Sequence, residues 1–349
     1  MKLLLSGYYG YGNVGDEAVL QALLTGFSGH EVTVLSAAPK LTEEFNRSAK
    51  AVYRYDWFKV LKAVRNCDWL VSGGGTLLQN STSNRSLFYY SLLIISAKLL
   101  RKKVAIVAQG FGPIKGAFPL FLAKFALGLA DVITLRDQDS YEAVKALIGD
   151  QRKIILAGDP TVLLPVPTES EVNNIFGLTN LKKSGRPLLG VALRGIKSDQ
   201  LLPQLAAAID KLAKDRGFLP IFLLFHCPDD MAMTAKVISL MKENSEVIFR
   251  VCQPNEMLAI ISRLDLLIGA RLHALIFAAI CGVPMLGISY DPKVEAFMKE
   301  IDQPYLKIDD QPSEAEIIAK LSQVMDQGKR VNRELLIEKA KRNFTWLAK

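Results

Sequence analysis

The sequence predicts an α/β protein made of two doubly wound, parallel-sheet domains. Three observations lead there. Short apolar runs alternate with amphipathic segments along the whole chain, the pattern of a parallel sheet covered by helices. The chain has 349 residues, 50% of them hydrophobic, enough to bury two cores. Between the two sets of elements lies a proline- and turn-rich interruption: Asp159-Pro160, Pro165, Pro167 and Lys182-Lys183-Ser184-Gly185-Arg186-Pro187.

In the first half, apolar runs place strands at Lys2–Ser6, Glu31–Leu35, Trp69–Ser72, Val104–Ala108, Val132–Leu135 and Lys153–Ala157. Helical periodicity places helices at Asp16–Phe27, Asp56–Asn66, Leu87–Arg101, Phe118–Leu129 and Gln138–Leu147. The second half repeats the pattern. Strands are expected at Leu188–Leu193, Leu219–Phe225, Glu246–Val251, a run ending at Ala270, and Pro284–Ser289. Helices are expected at Leu201–Arg216, Asp230–Lys242, Asn255–Arg263, Leu272–Ile280, Pro292–Glu300 and Pro312–Met325. The domains are thus 1–165 and 188–325, joined by a 166–187 linker with a short helix near Glu169–Phe176, and followed by a C-terminal helix within 326–349. Two such halves suggest domains facing one another across a cleft, with ligands at the carboxyl ends of strands.

The formal charge of +8 is unevenly distributed. From Trp69 to Ala130 there is no Asp or Glu, while Arg85, Lys98, Arg101, Lys102, Lys103, Lys115 and Lys124 all fall there. Cys67, Cys227, Cys252 and Cys281 are far apart, which fits a reducing compartment and neither a disulfide framework nor a zinc site. With three histidines in all, no metal centre is expected. The apolar start Met1–Ser6 is too short for a signal peptide, and no run approaches the roughly 20 residues of a membrane span. A cytoplasmic protein is expected, soluble or resting on the inner face of the plasma membrane.

The loops after strands carry the chemistry. Gly7-Tyr8-Tyr9-Gly10-Tyr11-Gly12-Asn13-Val14-Gly15-Asp16-Glu17 follows the first strand, and its glycines let backbone approach a ligand. Gly10, Gly12 and Gly15 match G-x-G-x-x-G, but Asp16 and Glu17 put negative charge where a dinucleotide pyrophosphate would sit, and Leu35-Ser36-Ala37-Ala38 supplies no ribose acid. The loop reads as a substrate loop, with Asp16 either capping the helix or binding a hydroxyl. Gly73-Gly74-Gly75-Thr76 and Gln109-Gly110-Phe111-Gly112-Pro113 end two further strands in the same way. Arg136-Asp137 and Gly158-Asp159-Pro160 close the set; each acid has a plain capping or pairing role as the alternative.

In the second half Arg194, Arg271, His273 and Lys293 all follow strands of one sheet and should converge on one face. Arg271-Leu272-His273 opens a helix, where free N–H groups and the helix dipole favour an anion and a titratable imidazole adjoins a fixed guanidinium. Lysine is unfavourable near a helix N-terminus, which points Lys293 to a ligand role. His226 ranks below His273 for want of an adjoining charged partner, and His30 lies in a turn.

The segments Leu87–Lys103 and Phe118–Leu129 are strongly apolar, with lysines and no acids. Core helices are the plain reading; a surface resting on anionic lipid is the other. No nucleic-acid module is evident.

Gly12-Asn13-Val14-Gly15-Asp16-Glu17, Gly73-Gly74-Gly75-Thr76, Arg136-Asp137, Gly158-Asp159-Pro160, Arg271-Leu272-His273 and Ser289-Tyr290-Asp291-Pro292-Lys293 occur in an order that resembles the polysaccharide pyruvyl transferases, in particular the CsaB type. The resemblance covers about residues 2–300. It implies a GT-B-like fold of two Rossmann-like domains and transfer of pyruvate from phosphoenolpyruvate to two hydroxyls of a cell-wall or surface saccharide, lipid-linked or free, with release of phosphate. No cofactor is implied. Arg194, Arg271, Leu272, His273, Lys293 and Arg136 would hold phosphoenolpyruvate. Gly12, Asn13, Gly15, Asp16, Gly74, Gly75 and Thr76 would hold the acceptor. His273, Asp159 and Arg271 would be catalytic, His273 as acid or proton relay and Asp159 as candidate base. A nucleotide-sugar glycosyltransferase of the same fold is the rival, but the E-x₇-E arrangement fails because Gln303 stands eight residues after Glu295. A non-catalytic scaffold of polysaccharide assembly is the alternative of another class.

Overall fold

The computed structural model describes residues 1–80, 84–150, 153–177, 185–195, 200–248, 252–327 and 331–348. The chain divides into two units, Met1–Leu164 with Glu334–Lys349, and Pro165–Arg333.

In the first unit seven strands run parallel: β1 (Lys2–Ser6), β2 (Glu31–Ser36), β3 (Ala49–Tyr53), β4 (Trp69–Gly73), β5 (Lys103–Gln109), β6 (Val132–Leu135) and β7 (Ile154–Leu156). Their spatial order is β3-β2-β1-β4-β5-β6-β7. The chain therefore winds outward in both directions from the β1–β4 pair, where Leu3 faces Trp69 and Ser6 faces Ser72. The interiors of central strands, Leu3–Leu5 in β1 and Val104–Ala108 in β5, are apolar because helices cover both faces.

One face carries α3 (Trp57–Asn66), α4 (Asn84–Leu99), α5 (Ala117–Leu129) and α6 (Gln138–Ile148), through Val60, Ile94, Leu127 and Val144. Across the sheet lie α1 (Val14–Gly26) and the end of the chain: Leu20, Leu23 and Phe27 share a core with Trp346. A single helix over 326–349 is not what forms. Helix α14 (Arg333–Lys341) passes into a 3₁₀ segment, Arg342–Ala348, that joins the first unit. Buried Asn343 anchors it, accepting from Thr134 Oγ1 at 2.6 Å and donating to Gly158 O at 2.8 Å.

The second unit holds six parallel strands: β8 (Leu188–Ala192), β9 (Leu219–Leu223), β10 (Glu246–Ile248), β11 (Leu266–Gly269), β12 (Met285–Ser289) and β13 (Tyr305–Lys307). Their order is β10-β9-β8-β11-β12-β13, so the winding reverses between β8 and β11. Expected strand residues 249–251 lie outside the described residues. Helices α8 (Leu201–Arg216), α9 (Asp229–Leu240) and α13 (Glu314–Gln327) pack on one face, and α11 (Leu272–Cys281) is buried along almost its whole length. The expected linker is not all linker, since α7 (Glu169–Gly177) belongs to this unit and packs on α10 (Pro254–Ile261).

Sequence periodicity missed α2 (Pro39–Phe45), β3 and β13. Both strands lie at sheet edges, and neither is buried along its length.

Candidate functional site

In open parallel sheets ligands bind beyond the carboxyl ends of strands, where the strand order reverses. Each unit has one such point, and the residues singled out from the sequence gather at both.

In the first unit the point lies between β1 and β4. The loop from Gly7 leaves β1 beside the Gly73–Thr76 loop that leaves β4. Asn13 caps α1, its Oδ1 accepting from Gly15 N at 3.1 Å. Asp16 is therefore not the cap; it sits in the first helical turn, and a Cβ on Gly75 would lie 3.2 Å from its Oδ1. Gly74 and Gly75 both have φ near +69°, a backbone shape that favours glycine. A Cβ on Gly110 would lie 2.8 Å from Thr76 Oγ1 and 3.0 Å from Arg136 Nη2. Thr76, Gly110 and Arg136 thus meet, so Arg136 groups with the strand-end loops of its own unit.

Arg136 is buried between two acids, its Nη1 3.4 Å from Asp159 Oδ2 and its Nε 3.6 Å from Asp137 Oδ2. Asp137 also caps α6, accepting from Ser140 N at 2.8 Å. Asp159 caps the Pro160–Leu163 turn, its Oδ1 accepting from Thr161 N at 3.0 Å and Thr161 Oγ1 at 2.6 Å. Both oxygens of Asp159 are thus engaged.

Two residues of this group, Glu17 and Arg54, were given no site role from the sequence. Glu17 accepts from Gly10 N at 2.7 Å. Burial pushes its carboxyl up to about 7 against the pull of the Gly10 N–H, with Asp16 adding to the rise. Arg54, buried just after β3, donates to Gly7 O at 2.8 Å and to the Tyr90 hydroxyl at 3.2 Å. The rings of Tyr89, Tyr11, Tyr90 and Tyr55 surround its guanidinium, the nearest centroid at 4.5 Å. Recognising β3 would have placed Arg54 at a strand end, where it holds the start of the loop after β1.

In the second unit Arg194 and Arg271 follow the two strands that flank the reversal, β8 and β11, which run level with Ala192 facing Gly269. Arg271 occupies the cap position of α11, which puts Leu272 and His273 in the first turn, Leu272 buried and His273 half-buried. The guanidinium of Arg271 is clamped by the fully buried Asp230, Nε to Oδ2 at 3.1 Å with Nη2 on Oδ1. Asp230 Oδ2 also accepts from the backbone of Phe225 at 3.0 Å and His226 at 2.9 Å. A buried guanidinium fixed on one edge is a rigid anion donor on its remaining edge.

Arg194 is exposed, and the phenol of Tyr290 feels both it and Arg271. Burial raises the Tyr290 phenol, while both guanidiniums, and a hydrogen bond from Arg194, pull it down. Lys293 pairs with Asp291 at 2.9 Å, and Asp291 caps α12 (Pro292–Glu300), accepting from Lys293 N at 3.1 Å. His226 does have a charged partner, Asp229, 2.9 Å from its Nδ1. Asp230 and Tyr290 went unassigned from the sequence, although each adjoins a residue that drew notice. A surface pocket lined by Tyr305, Lys307, Asp310, Glu316, Lys320 and Gln323 contains none of these residues, and its mixed charges offer no selective anion site.

Two guanidiniums and an imidazole thus follow the strands at one switch point, and glycine loops with carboxylates follow those at the other. The profile described as polysaccharide pyruvyl transferase matches residues 13–292, which spans both switch points but leaves Gly7–Gly12 and Lys293 just outside. The chain belongs to this family.

Membership in the polysaccharide pyruvyl transferase family makes the protein a transferase of polysaccharide biosynthesis. No curated protein matches it at significant sequence similarity. Among solved structures it is similar to UDP-GlcNAc 2-epimerase from Methanocaldococcus jannaschii, at 13% identity and TM-score 0.69, over 100% of this chain and 99% of that one. It is also similar to HepE from Anabaena in complex with UDP and glucose, at 12% identity and TM-score 0.64, over 100% and 96%. At these identities the likeness shows the fold, two parallel-sheet α/β domains of the GT-B kind.

Proposed function

We propose that the protein transfers pyruvate from phosphoenolpyruvate to two hydroxyls of a saccharide, forming a ketal in a cell-wall or surface polysaccharide precursor in the manner of the CsaB type. The observation that carries this reading is the pair Arg194 and Arg271 on the two strands flanking the switch point of the second sheet, with His273 two residues on. A three-carbon donor bearing carboxylate and phosphate needs two cationic grips; guanidiniums suit both groups. Leu272 and Lys293 complete the donor loops in this reading.

The reaction balances without a cofactor. A proton adds to the donor methylene, making it a methyl group and leaving a cationic carbon. One saccharide hydroxyl attacks that carbon; the second displaces phosphate. Of the two hydroxyl protons lost, one replaces the proton spent on the methylene and the other leaves with phosphate. His273 is assigned the proton traffic on the donor side, since imidazole both gives and takes protons near neutrality. Asp159 is assigned the holding of Arg136, because its oxygens are already engaged. The base expected there passes in this proposal to Asp16, which lies against the Gly75 backbone among the acceptor loops Gly12, Asn13, Gly15, Gly74 and Thr76. We assign the reaction to the cytoplasm, where cysteines outside any disulfide, as all four are here, stay reduced.

The test is release of inorganic phosphate from phosphoenolpyruvate, dependent on added saccharide. His273→Ala should abolish it with the melting temperature unchanged. Turnover of a UDP-sugar, with phosphoenolpyruvate inert, would hand the site to the rival glycosyltransferase reading. An inert protein that still assembles with polysaccharide enzymes would favour the scaffold.

A further inference from the structure

We propose that the outer face of α4 and α5 is a docking surface for a bilayer rich in anionic lipid. The two helices pack side by side on the first sheet and bury one face each, α4 through Leu87, Leu93 and Ile94, α5 through Ala123, Ala126 and Leu127. Their other faces are also apolar, which a helix exposed only to water does not need. Along α4 Phe88, Leu92 and Leu99 share one exposed side; along α5 Phe118, Phe121 and Phe125 do. Exposure reaches 61% at Phe118, 62% at Phe121 and 78% at Leu99. These are not scattered side chains. Phe88 and Phe118 bridge the two helices with centroids 6.0 Å apart, and Phe121 stacks on Phe125 at 6.3 Å. Contiguous apolar surface of this kind marks an interaction site.

Charge chooses the occupant. The apolar strip lies inside the one long stretch without an acidic residue. Lys124 stands among the phenylalanines, Lys115 precedes α5, and Arg101, Lys102 and Lys103 follow α4. Lys98 pairs with Asp131 at 2.9 Å, an acid from beyond that stretch. A second copy of the chain docked face to face would set Lys124 and Lys115 against their own counterparts, since Asp131, the carboxylate beside this stretch, already holds Lys98. A leaflet of anionic lipid supplies both what the phenylalanines need and what the lysines need, acyl chains beneath phosphates. Among the described residues no helix is long and apolar enough to cross a membrane, so the contact is peripheral. The surface stands whatever chemistry the strand ends perform; lipid-linked acceptors would give it a use.

The full chain is spun with phosphatidylcholine vesicles, with and without phosphatidylglycerol. The expected result is at least about five-fold more protein in the pellet with the anionic vesicles, falling as salt rises. Phe118→Ser combined with Phe121→Ser should remove it; these exposed positions leave the melting temperature unchanged. Lys124→Glu should weaken it. Wild-type protein that stays in the supernatant at low salt overturns the proposal, as does equal pelleting on both vesicle types. So does light scattering that shows a stable dimer split by the double substitution, which would give the face to a second copy.

Discussion

Glu17 reaches back from the first turn of α1 to hold the Gly10 N–H, and its carboxyl is pushed up to about 7 by burial despite that hydrogen bond. A folded-state value above the ordinary 4.5 means that the folded chain binds this proton more tightly than the unfolded one. The associated stability is complete below the unfolded value and is lost as pH rises through 7. Glu17→Gln, which keeps an acceptor oxygen for Gly10, should therefore be more stable than wild type at pH 8 by roughly 1–3 kcal/mol, with the difference vanishing near pH 4. Denaturant melts at the two pH values check this. Asp230 works the other way. It holds four donors in a dry site, so Asp230→Ala leaves Arg271 buried and unpaired and should cost about 3–5 kcal/mol. At this scale the sequence reveals residue type but not partner. Arg271, Arg194 and Arg136 stand out as cations after strands; that Asp230 clamps the first and Asp159 the third depends on contacts 41 and 23 residues apart in the chain. Asp16 is ambiguous from sequence because Asn13, three residues earlier, is an equally good cap, and the structure gives the cap to Asn13.

Strands with apolar runs and helices with clear periodicity were legible: Val132–Leu135, Leu201–Arg216 and Pro292–Glu300 form with the expected ends. Two of the four edge strands, β3 and β13, were not. Ala49-Lys50-Ala51-Val52-Tyr53 is partly exposed and lacks the continuous apolar run of a buried strand, so β3 and the Arg54 that follows it went unseen. The cap-and-loop pattern around the glycines was legible for the opposite reason, since three glycines at a strand end weaken the strand unless backbone must turn there. Gly74 shows the constraint. Its φ is +69°, and a Cβ would fall 2.1 Å from Val19 Cγ1 on α1. Gly74→Ala should destabilise the first unit by about 2 kcal/mol or more and prise α1 from β4, read as a lower melting temperature with acceptor-dependent turnover lost before donor binding.

Across the whole chain, the division into two units at Leu164 and Pro165 follows the prolines, but the return of the C-terminus does not announce itself. A terminal segment within 326–349 reads as one charged helix because Lys, Arg and Glu dominate Arg333–Lys341; the tie to the first unit comes from Asn343, Phe344 and Trp346 in the few residues that follow. Trp346 lies 4.6 Å from the Trp69 ring and joins the α1 core. Removing residues 342–349 should lower the unfolding transition of the first unit by several degrees, since a buried tryptophan and a buried hydrogen-bonded asparagine are lost together, and leave phosphoenolpyruvate binding by the second unit intact. That binding is the direct test of the whole account. Calorimetric titration of the full chain with phosphoenolpyruvate should give saturable binding that weakens at least about ten-fold in Arg194→Ala, the loss of one charged hydrogen-bonding grip. No heat with phosphoenolpyruvate, beside saturable binding of a UDP-sugar, would contradict it.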